Sequence, residues 1–382
     1  MKTGVSWRGQ RIRRLIIKGA KFMDAEDRLN LVIKNVAEVV TIDELKLKLR
    51  SGEKLKAYLG FEPSGLFHIG WIIWARKLQD FLNAGIETIL LEATWHAWIN
   101  DKLGGSLENI KKCAKYIEHS LKALGVSVER IRTIDAEELV KDKEYWGLVI
   151  KIAKNITLAR VKRALTIMGR RESEAEIDFS KLIYPPMQVA DMFYLGVDIA
   201  LGGMDQRKAH MLARDVAGKL KLKKPIAIHI PLLTGLQGTQ KMEASSYEEV
   251  ILSVKMSKSK PESTILIHDS PEDIRRKIRK AYCPPKVVEF NPVIEIAKYI
   301  LFTQQNFTLV IRRPQKYGGT IEVQNYNELE KLYKEGKIHP LDLKNAIADA
   351  LINYLKPVRL YFEKNKEARE LLNTMLKITI TR

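Results

Sequence analysis

The chain reads as an α/β protein: a parallel β-sheet domain carrying a helical insertion, followed by a mostly α-helical C-terminal domain. Three observations predict this. The 382 residues, 46% of them hydrophobic, exceed one ordinary core and suit roughly two domains. From Lys56 to Leu233 short aliphatic runs alternate with helix-length segments across Gly and Pro breaks, the pattern of βαβ units and a parallel sheet. From residue 269 onward the pattern is mostly helical.

Residues 1–22 carry seven basic side chains and no acid, a basic arm or plain tail; Leu15-Ile16-Ile17 is too short for the centre of a signal peptide. Met23 opens a helical pattern, so translation is expected to begin there. Leu29, Leu31, Val32, Val36, Val39 and Val40 keep helical spacing across 24–52, and Thr41 caps a second run from Ile42 to Leu49, predicting two lead-in helices. The run AYLGF from Ala57 is a strand ended by Glu62-Pro63-Ser64-Gly65. A helix from His68 to Asn83, Gly85 and the strand TILLEATW follow. Residues 106–176 read as helical throughout, a Lys- and Arg-rich insertion layered on the sheet. Leu182-Ile183-Tyr184 lead to Pro185-Pro186, which suit the first turn of a helix, where no backbone donor is needed; Gly196 stops that helix. VDIALGG is a strand, Met204-Asp205-Gln206 opens a helix and AIHIPLL is a further strand. A long Gly-, Ser- and Lys-rich loop runs from Thr234 to Pro261, the domain boundary falls near 265, and Ser270-Pro271-Glu272 and Pro340-Leu341-Asp342 start helices beyond it.

Composition narrows the function. The 65 Lys and Arg against 46 Asp and Glu leave a net charge of +19, which favours a polyanionic partner, nucleic acid first, over a merely solvated Lys-rich surface. Cys113 and Cys283, far apart and alone, build neither a disulfide framework nor a thiolate zinc cluster and suit a reducing cytoplasm. No apolar run approaches the ~20 residues that cross a bilayer, so no membrane partner is expected.

No Walker A, G-x-G-x-x-G or H-E-x-x-H pattern occurs, and no side chain is assigned to a metal. Two other segments can hold phosphate. Gly60 to Gly70 (GFEPSGLFHIG) joins a strand end to a helix and offers helix N-terminal amides, a hydroxyl and an imidazole. Lys255-Met256-Ser257-Lys258-Ser259 offers two flexible ammonium groups, the charge that an in-line displacement at a nucleotide phosphorus needs. Tyr184, Gln188 and Asp191 lie at i, i+4 and i+7, a polar stripe on one face of an otherwise apolar helix, able to grip a polar ligand, cap the helix or face solvent.

The H-I-G turn at 68–70 with K-M-S-K-S at 255–259 resembles the class I aminoacyl-tRNA synthetases. With GFEPSG, YPPMQVADMFYLGVD, GGMDQRKAHML and HPLDLKNA, the chain from about Met23 onward resembles the archaeal and eukaryotic tyrosyl-tRNA synthetase family. The resemblance implies a Rossmann-like catalytic domain over 23–265, with its signature loop at about 237–262, and a helical anticodon-binding domain over 266–382. It implies ATP with Mg2+, L-tyrosine and tRNA(Tyr) as partners, a homodimer, and two steps: tyrosyl-adenylate formation, then transfer to the terminal adenosine of the tRNA.

Residue by residue, the resemblance assigns Asp191 and Tyr58 to the substrate phenol, Gln188 and Tyr184 to its ammonium group, Gln206 to its carboxylate side, and Glu62 to the same tyrosine site. For ATP it assigns Gly60 to the adenosine, Ser64 and His68 to the leaving phosphates, Gly70 to the base, Asp205 to the ribose, and Lys255, Ser257 and Lys258 to the phosphates, with His68, Lys255 and Lys258 as catalytic groups. Trp71 stands where the family often has a second histidine, and Lys241-Met242-Glu243 is an imperfect echo of the lysine signature. For tRNA it assigns Asp342, Tyr317 and His339 to the first anticodon base and Arg207 and Lys208 to the acceptor stem; otherwise Asp342 is a helix cap and Arg207 and Lys208 are solvated helix surface. Tryptophanyl-tRNA synthetase and a non-catalytic RNA-binding relative are the competing readings. Tyr58 and Asp191 disfavour the first, since indole has no hydroxyl to hold, and the two lysines disfavour the second.

Overall fold

The computed structural model describes residues 23–168, 178–238, 255–257 and 261–378. The basic arm, the 169–177 end of the insertion, the Lys241-Met242-Glu243 echo and Lys258-Ser259 lie outside the described residues.

Helix α1 (Ala25–Ile33) is capped by Asp24, whose carboxylate accepts from the Asp27 N–H at 2.8 Å. The expected helical run through Val40 ends here. Asn35 turns the chain with φ +55°, and Glu38–Val40 forms strand β1, antiparallel to β6 (Ile226–Ile230). The β-branched pair Val39-Val40 gains ladder bonds at the sheet edge, where its side chains pack without rotamer restriction from a preceding helical turn. Thr41 starts α2 (Ile42–Arg50) as expected: it accepts from the Glu44 N–H while Glu44 accepts from its own, both at 3.2 Å.

Strands β2 (Lys56–Phe61), β3 (Glu87–Glu92), β4 (Arg132–Asp135) and β5 (Ile199–Gly203) complete a six-stranded sheet of order β1-β6-β5-β2-β3-β4. β2 through β6 pair in parallel. Strand order reverses between β2 and β5, and sheets of this kind bind ligands outside the carboxyl ends of the strands at such a point. A 3-10 turn at Ile69–Trp71 leads into α3 (Ile72–Asn83), the crossover from β2 to β3. Tyr58, Ile89, Leu91 and Ala200 pack on one face of the sheet, while Ala57, Leu59, Leu90, Ile199 and Leu201 pack on the other, the two-residue period of strands covered on both sides.

Besides the lead-in run that ends before β1, four expectations need correction. The strand TILLEATW ends at Glu92, and its last residues enter α4 (Thr94–Ile99). The 106–176 segment is not helical throughout: after α5 (Leu107–Ala123), Gly125 turns with φ +80° and β4 joins the sheet beside β3. Its described residues beyond β4 include α6 (Ala136–Val140), α7 (Lys143–Lys154) and α8 (Leu158–Ala164). Pro185-Pro186 do not open a helix but lie inside α9 (Phe179–Tyr194), which starts at the Asp178 cap. A proline inside a helix costs about 3 kcal/mol. Bonds from outside the helix hold its first turns: Lys181 Nζ reaches Asp178 at 2.6 Å, Asp101 at 2.7 Å and the Ile99 carbonyl at 2.8 Å.

After α9, Gly196 reverses the chain with φ +62°, and α10 (Arg207–Leu220) connects β5 to β6. The C-terminal part contains α11 (Pro271–Lys280), α12 (Pro292–Ile296), α13 (Tyr326–Lys334), α14 (Pro340–Lys364) and α15 (Lys366–Lys377). The fourth correction falls here, an antiparallel pair β7 (Leu309–Ile311) and β8 (Ile321–Val323) that the helical reading omitted. Among the described residues no helix is long and apolar enough to cross a membrane.

Candidate active site

The carboxyl ends of β2 and β5, the turn into α3 and the face of α9 enclose a cleft of about 450 Å³. Tyr58, Gly60, Glu62, Ser64, His68, Gly70, Tyr184, Gln188, Asp191, Asp205, Gln206, Lys255 and Ser257 all line it. Lys258 lies outside the described residues.

At one end, α9 presents Tyr184, Gln188 and Asp191 together. Asp191 is 1% exposed; it accepts the Tyr145 hydroxyl at 2.7 Å and lies 3.1 Å from His96 Nε2. Burial, then the Asp191 charge and its hydrogen bond, hold the phenols of Tyr58 and Tyr145 well above their usual range, so both are neutral donors. Burial works against protonation of His96, but Asp191 and the Glu62 charge outweigh it and raise its pKa. Tyr58 reaches Asp191 by lying over Gly60, where a Cβ would collide with the Tyr58 hydroxyl.

Beside this end, Tyr184 donates to Glu62 Oε1 at 2.7 Å, and Asn100 donates to the same carboxylate at 3.0 and 3.2 Å. Gln188 Nε2 donates to Gln206 Oε1 at 3.0 Å. An acid with a phenol and an amide beside it suits a cationic amine.

The other end holds a lysine–carboxylate ion pair. Lys255 Nζ pairs with Asp205 at 2.8 Å; burial opposes its charge, but Asp205 raises its pKa, so it stays an ammonium. Ser64 donates to the Glu62 carbonyl at 3.1 Å. His68 is 6% exposed, and its ring sits where a Cβ on Gly70 would approach to 2.9 Å, so the glycine makes room for the imidazole. The histidine turn is joined by backbone to the chain that follows the lysine signature: Ile69 N–H donates to the Ile265 carbonyl at 2.9 Å and Ile267 N–H to the Phe67 carbonyl at 3.1 Å. Trp71, in place of the second histidine, fits an aromatic cluster, edge-on to Phe67 at 5.3 Å and 5.8 Å from Trp74.

The proposed tRNA residues lie elsewhere. Arg207 is held by Glu38, with Nε 2.9 Å from the carboxylate, and its side chain is 34% exposed; Lys208 beside it is exposed. Tyr317 is 63% exposed with Lys316 Nζ 5.0 Å from its ring centroid. His339, not Asp342, caps α14, accepting from the Leu341 N–H at 3.2 Å.

Sequence reasoning missed Tyr145, His96 and Asn100, and the support beneath the site. Glu38 of the unforeseen β1 accepts from His229 Nδ1 at 2.8 Å, and His229 Nε2 lies 3.0 Å from His210 Nδ1. Burial and the neighbouring His229 push His210 down to about 3, so its ring is neutral. A histidine in TWHAWIN at a strand end was a visible signal; Tyr145 and Asn100 carried none.

The chain matches the family described as tRNA synthetases class I (W and Y) over residues 50–254 and 252–356. It is 59% identical to the tyrosine--tRNA ligase of Aeropyrum pernix over 88% of this chain and 93% of that one. Against that of Saccharolobus solfataricus it is 56% identical, over 95% and 100%. Its fold is similar to the crystal structure of tyrosyl-tRNA synthetase from Aeropyrum pernix, with TM-score 0.83 at 52% identity over 93% and 99% of the chains. The Pyrococcus horikoshii enzyme complexed with L-tyrosine gives 0.85 at 47% identity over 92% and 100%. A tryptophanyl-tRNA synthetase from Aeropyrum pernix, 18% identical with TM-score 0.64, shares the fold. With a cleft that pairs a buried acid among phenols with a half-buried lysine ammonium, and with these relatives, the chain belongs to the tyrosyl-tRNA synthetases, class I enzymes that join tyrosine to tRNA.

Proposed function

We propose that this cleft carries both steps of tyrosylation. The observation that carries it is that the Tyr184, Gln188 and Asp191 face of α9 and the His68 and Lys255 groups line one cavity. In the first step a tyrosine carboxylate oxygen bonds to the α-phosphorus of ATP as the bond to the β-phosphate oxygen breaks, releasing pyrophosphate. In the second, a ribose hydroxyl of the terminal adenosine takes the tyrosyl group, its proton is lost and AMP leaves. No protein nucleophile is needed, so positioning and electrostatics do the work.

Asp191 accepts a hydrogen bond from the substrate phenol and Tyr58 donates to the phenol oxygen; phenylalanine would leave one buried acceptor site of the acid unfilled. Glu62, Tyr184 and Gln188 hold the ammonium group and Gln206 the carboxylate side. Gly60 and Gly70 pack against the adenosine and Asp205 binds the ribose, which requires it to share or release Lys255. Ser64, His68, Lys255, Ser257 and Lys258 face the phosphates, where charge grows in the transition state. Among the described residues no three His, Cys, Asp or Glu side chains converge on a metal site. Magnesium therefore fits as a companion of the nucleotide, neutralising phosphate charge while bound chiefly to it.

The division into a catalytic domain over 23–265 and an anticodon-binding domain over 266–382, with Tyr317, His339 and Asp342 at the anticodon and Lys208 at the acceptor stem, belongs to the same reading. Arg207 reaches the stem only if Glu38 releases it. So do a homodimer and work in the cytoplasm. Pyrophosphate exchange with each amino acid tests the reaction: tyrosine-dependent exchange is expected, whereas tryptophan-dependent exchange or none overturns it.

A further inference from the structure

Lys255 enters the cleft from a described segment, 255–257, that is laid against Thr234 at one end and tied at the other by the Ser257 carbonyl, which accepts from the Thr264 hydroxyl at 2.6 Å. Thr234 pairs with Lys255 as an antiparallel bridge, and the adjacent Leu233 carbonyl accepts from the Met256 N–H at 2.6 Å. Thr234 is 3% exposed, and both of its donors end on one carboxylate: its N–H on Glu295 Oε2 at 2.7 Å and its hydroxyl on Oε1 at 2.9 Å. Glu295 stands 61 residues further along the chain, on α12 in the C-terminal part.

A half-buried carboxylate is an expensive acceptor for a threonine that a backbone carbonyl could satisfy. Burial pushes Glu295 up to about 7, while the Thr234 N–H and hydroxyl and the Lys298 charge pull it back. Its advantage is geometric. Only a carboxylate offers two coplanar acceptors with no donor to clash, so it fixes the backbone and the side chain of Thr234 at once. The Thr234 backbone is the bridge partner against which Lys255 is laid.

We propose that Glu295 is a positioning residue for adenylate formation: through Thr234 it sets the place of Lys255 over the nucleotide end of the cleft. It rests on the reading that Lys255 serves the nucleotide phosphates. An ammonium that must meet charge appearing only in the transition state loses effect when displaced, and a 1 Å error can cost about 100-fold in rate.

The test is a double-mutant cycle on tyrosine-dependent pyrophosphate exchange by the full chain, with kcat and the KM for tyrosine measured for Glu295→Ala, Thr234→Val and the pair, alongside thermal melting. Glu295→Ala is expected to lower kcat about tenfold or more with the tyrosine KM unchanged. Glu295→Gln, which keeps one acceptor, should lie between it and the native chain. Thr234→Val should lower kcat alone but add nothing in the Glu295→Ala background. A kcat within twofold of native, or multiplicative effects of the two changes, overturns the inference, whatever happens to the melting temperature. If Glu295→Ala does not fold, Glu295→Gln and Thr234→Val form the same cycle. Lys255→Ala separates the two failures: if it keeps exchange, the role of Lys255 is wrong, whereas loss there with no effect at Glu295 rejects this inference alone.

Discussion

Asp191 concentrates the chemistry of the substrate end. It is almost wholly buried, with Tyr145 at 2.7 Å, His96 at 3.1 Å and the Tyr58 hydroxyl beside it. A buried acid surrounded by neutral phenols is stable only while its acceptor sites are filled, which is also why it selects a substrate bearing a hydroxyl. Replacing Asp191 with Ala removes a charged acceptor, about 1.5–3 kcal/mol, so tyrosine-dependent exchange is expected to fall about 10- to 100-fold and the preference over phenylalanine to shrink with it. A variant that retains full tyrosine preference would sink the pocket assignment. The stripe at 184, 188 and 191 was legible because helical spacing alone brings those side chains to one face. Tyr145 was not, and His96 showed only as a histidine near a strand end without its partner, since each reaches Asp191 from another helix and periodicity says nothing about which helices meet.

At the level of elements, short edge pieces hold the site in place. β1 is three residues long, yet its Glu38 grips Arg207 at the start of α10, next to Asp205 and Gln206, and His229 of β6. α2, which follows β1, is tied to the same helix: Glu44, half of its capping box, also pairs with Arg214 at 2.9 Å. The side-chain bonds to Arg214 and Thr41 keep Glu44 below the usual carboxylate range, although burial opposes them. Thr41→Ala removes the cap and should cost about 1 kcal/mol, lowering the melting temperature by about one to two degrees while exchange activity is kept. An unchanged melting curve would show that the Arg214 pair alone holds α2. The β1 error has a physical source: Val36, Val39 and Val40 fit helical spacing as well as a strand, and only the waiting edge of β6 decided between them.

For the whole molecule, the net charge of +19 is a statement about its partner. Releasing counterions from RNA makes binding fall steeply with salt, whereas forming the adenylate involves no phosphate backbone. Raising salt is therefore expected to depress tRNA charging far more than pyrophosphate exchange; equal sensitivity would mean that the charge is not an RNA footprint. The sequence alone determined the strand-turn-helix holding His68, the polar face of α9 and the strands β2, β3, β5 and β6 that carry them, because each is a local pattern dictated by backbone periodicity and turn chemistry. Tertiary structure alone decided which distant groups complete them: Glu38 under Arg207, Asn100 on Glu62, Glu295 on Thr234, and prolines tolerated inside α9. Those pairings join residues 38 to 169 positions apart. They depend on how loops close and which polar groups are buried together, and no local pattern encodes either.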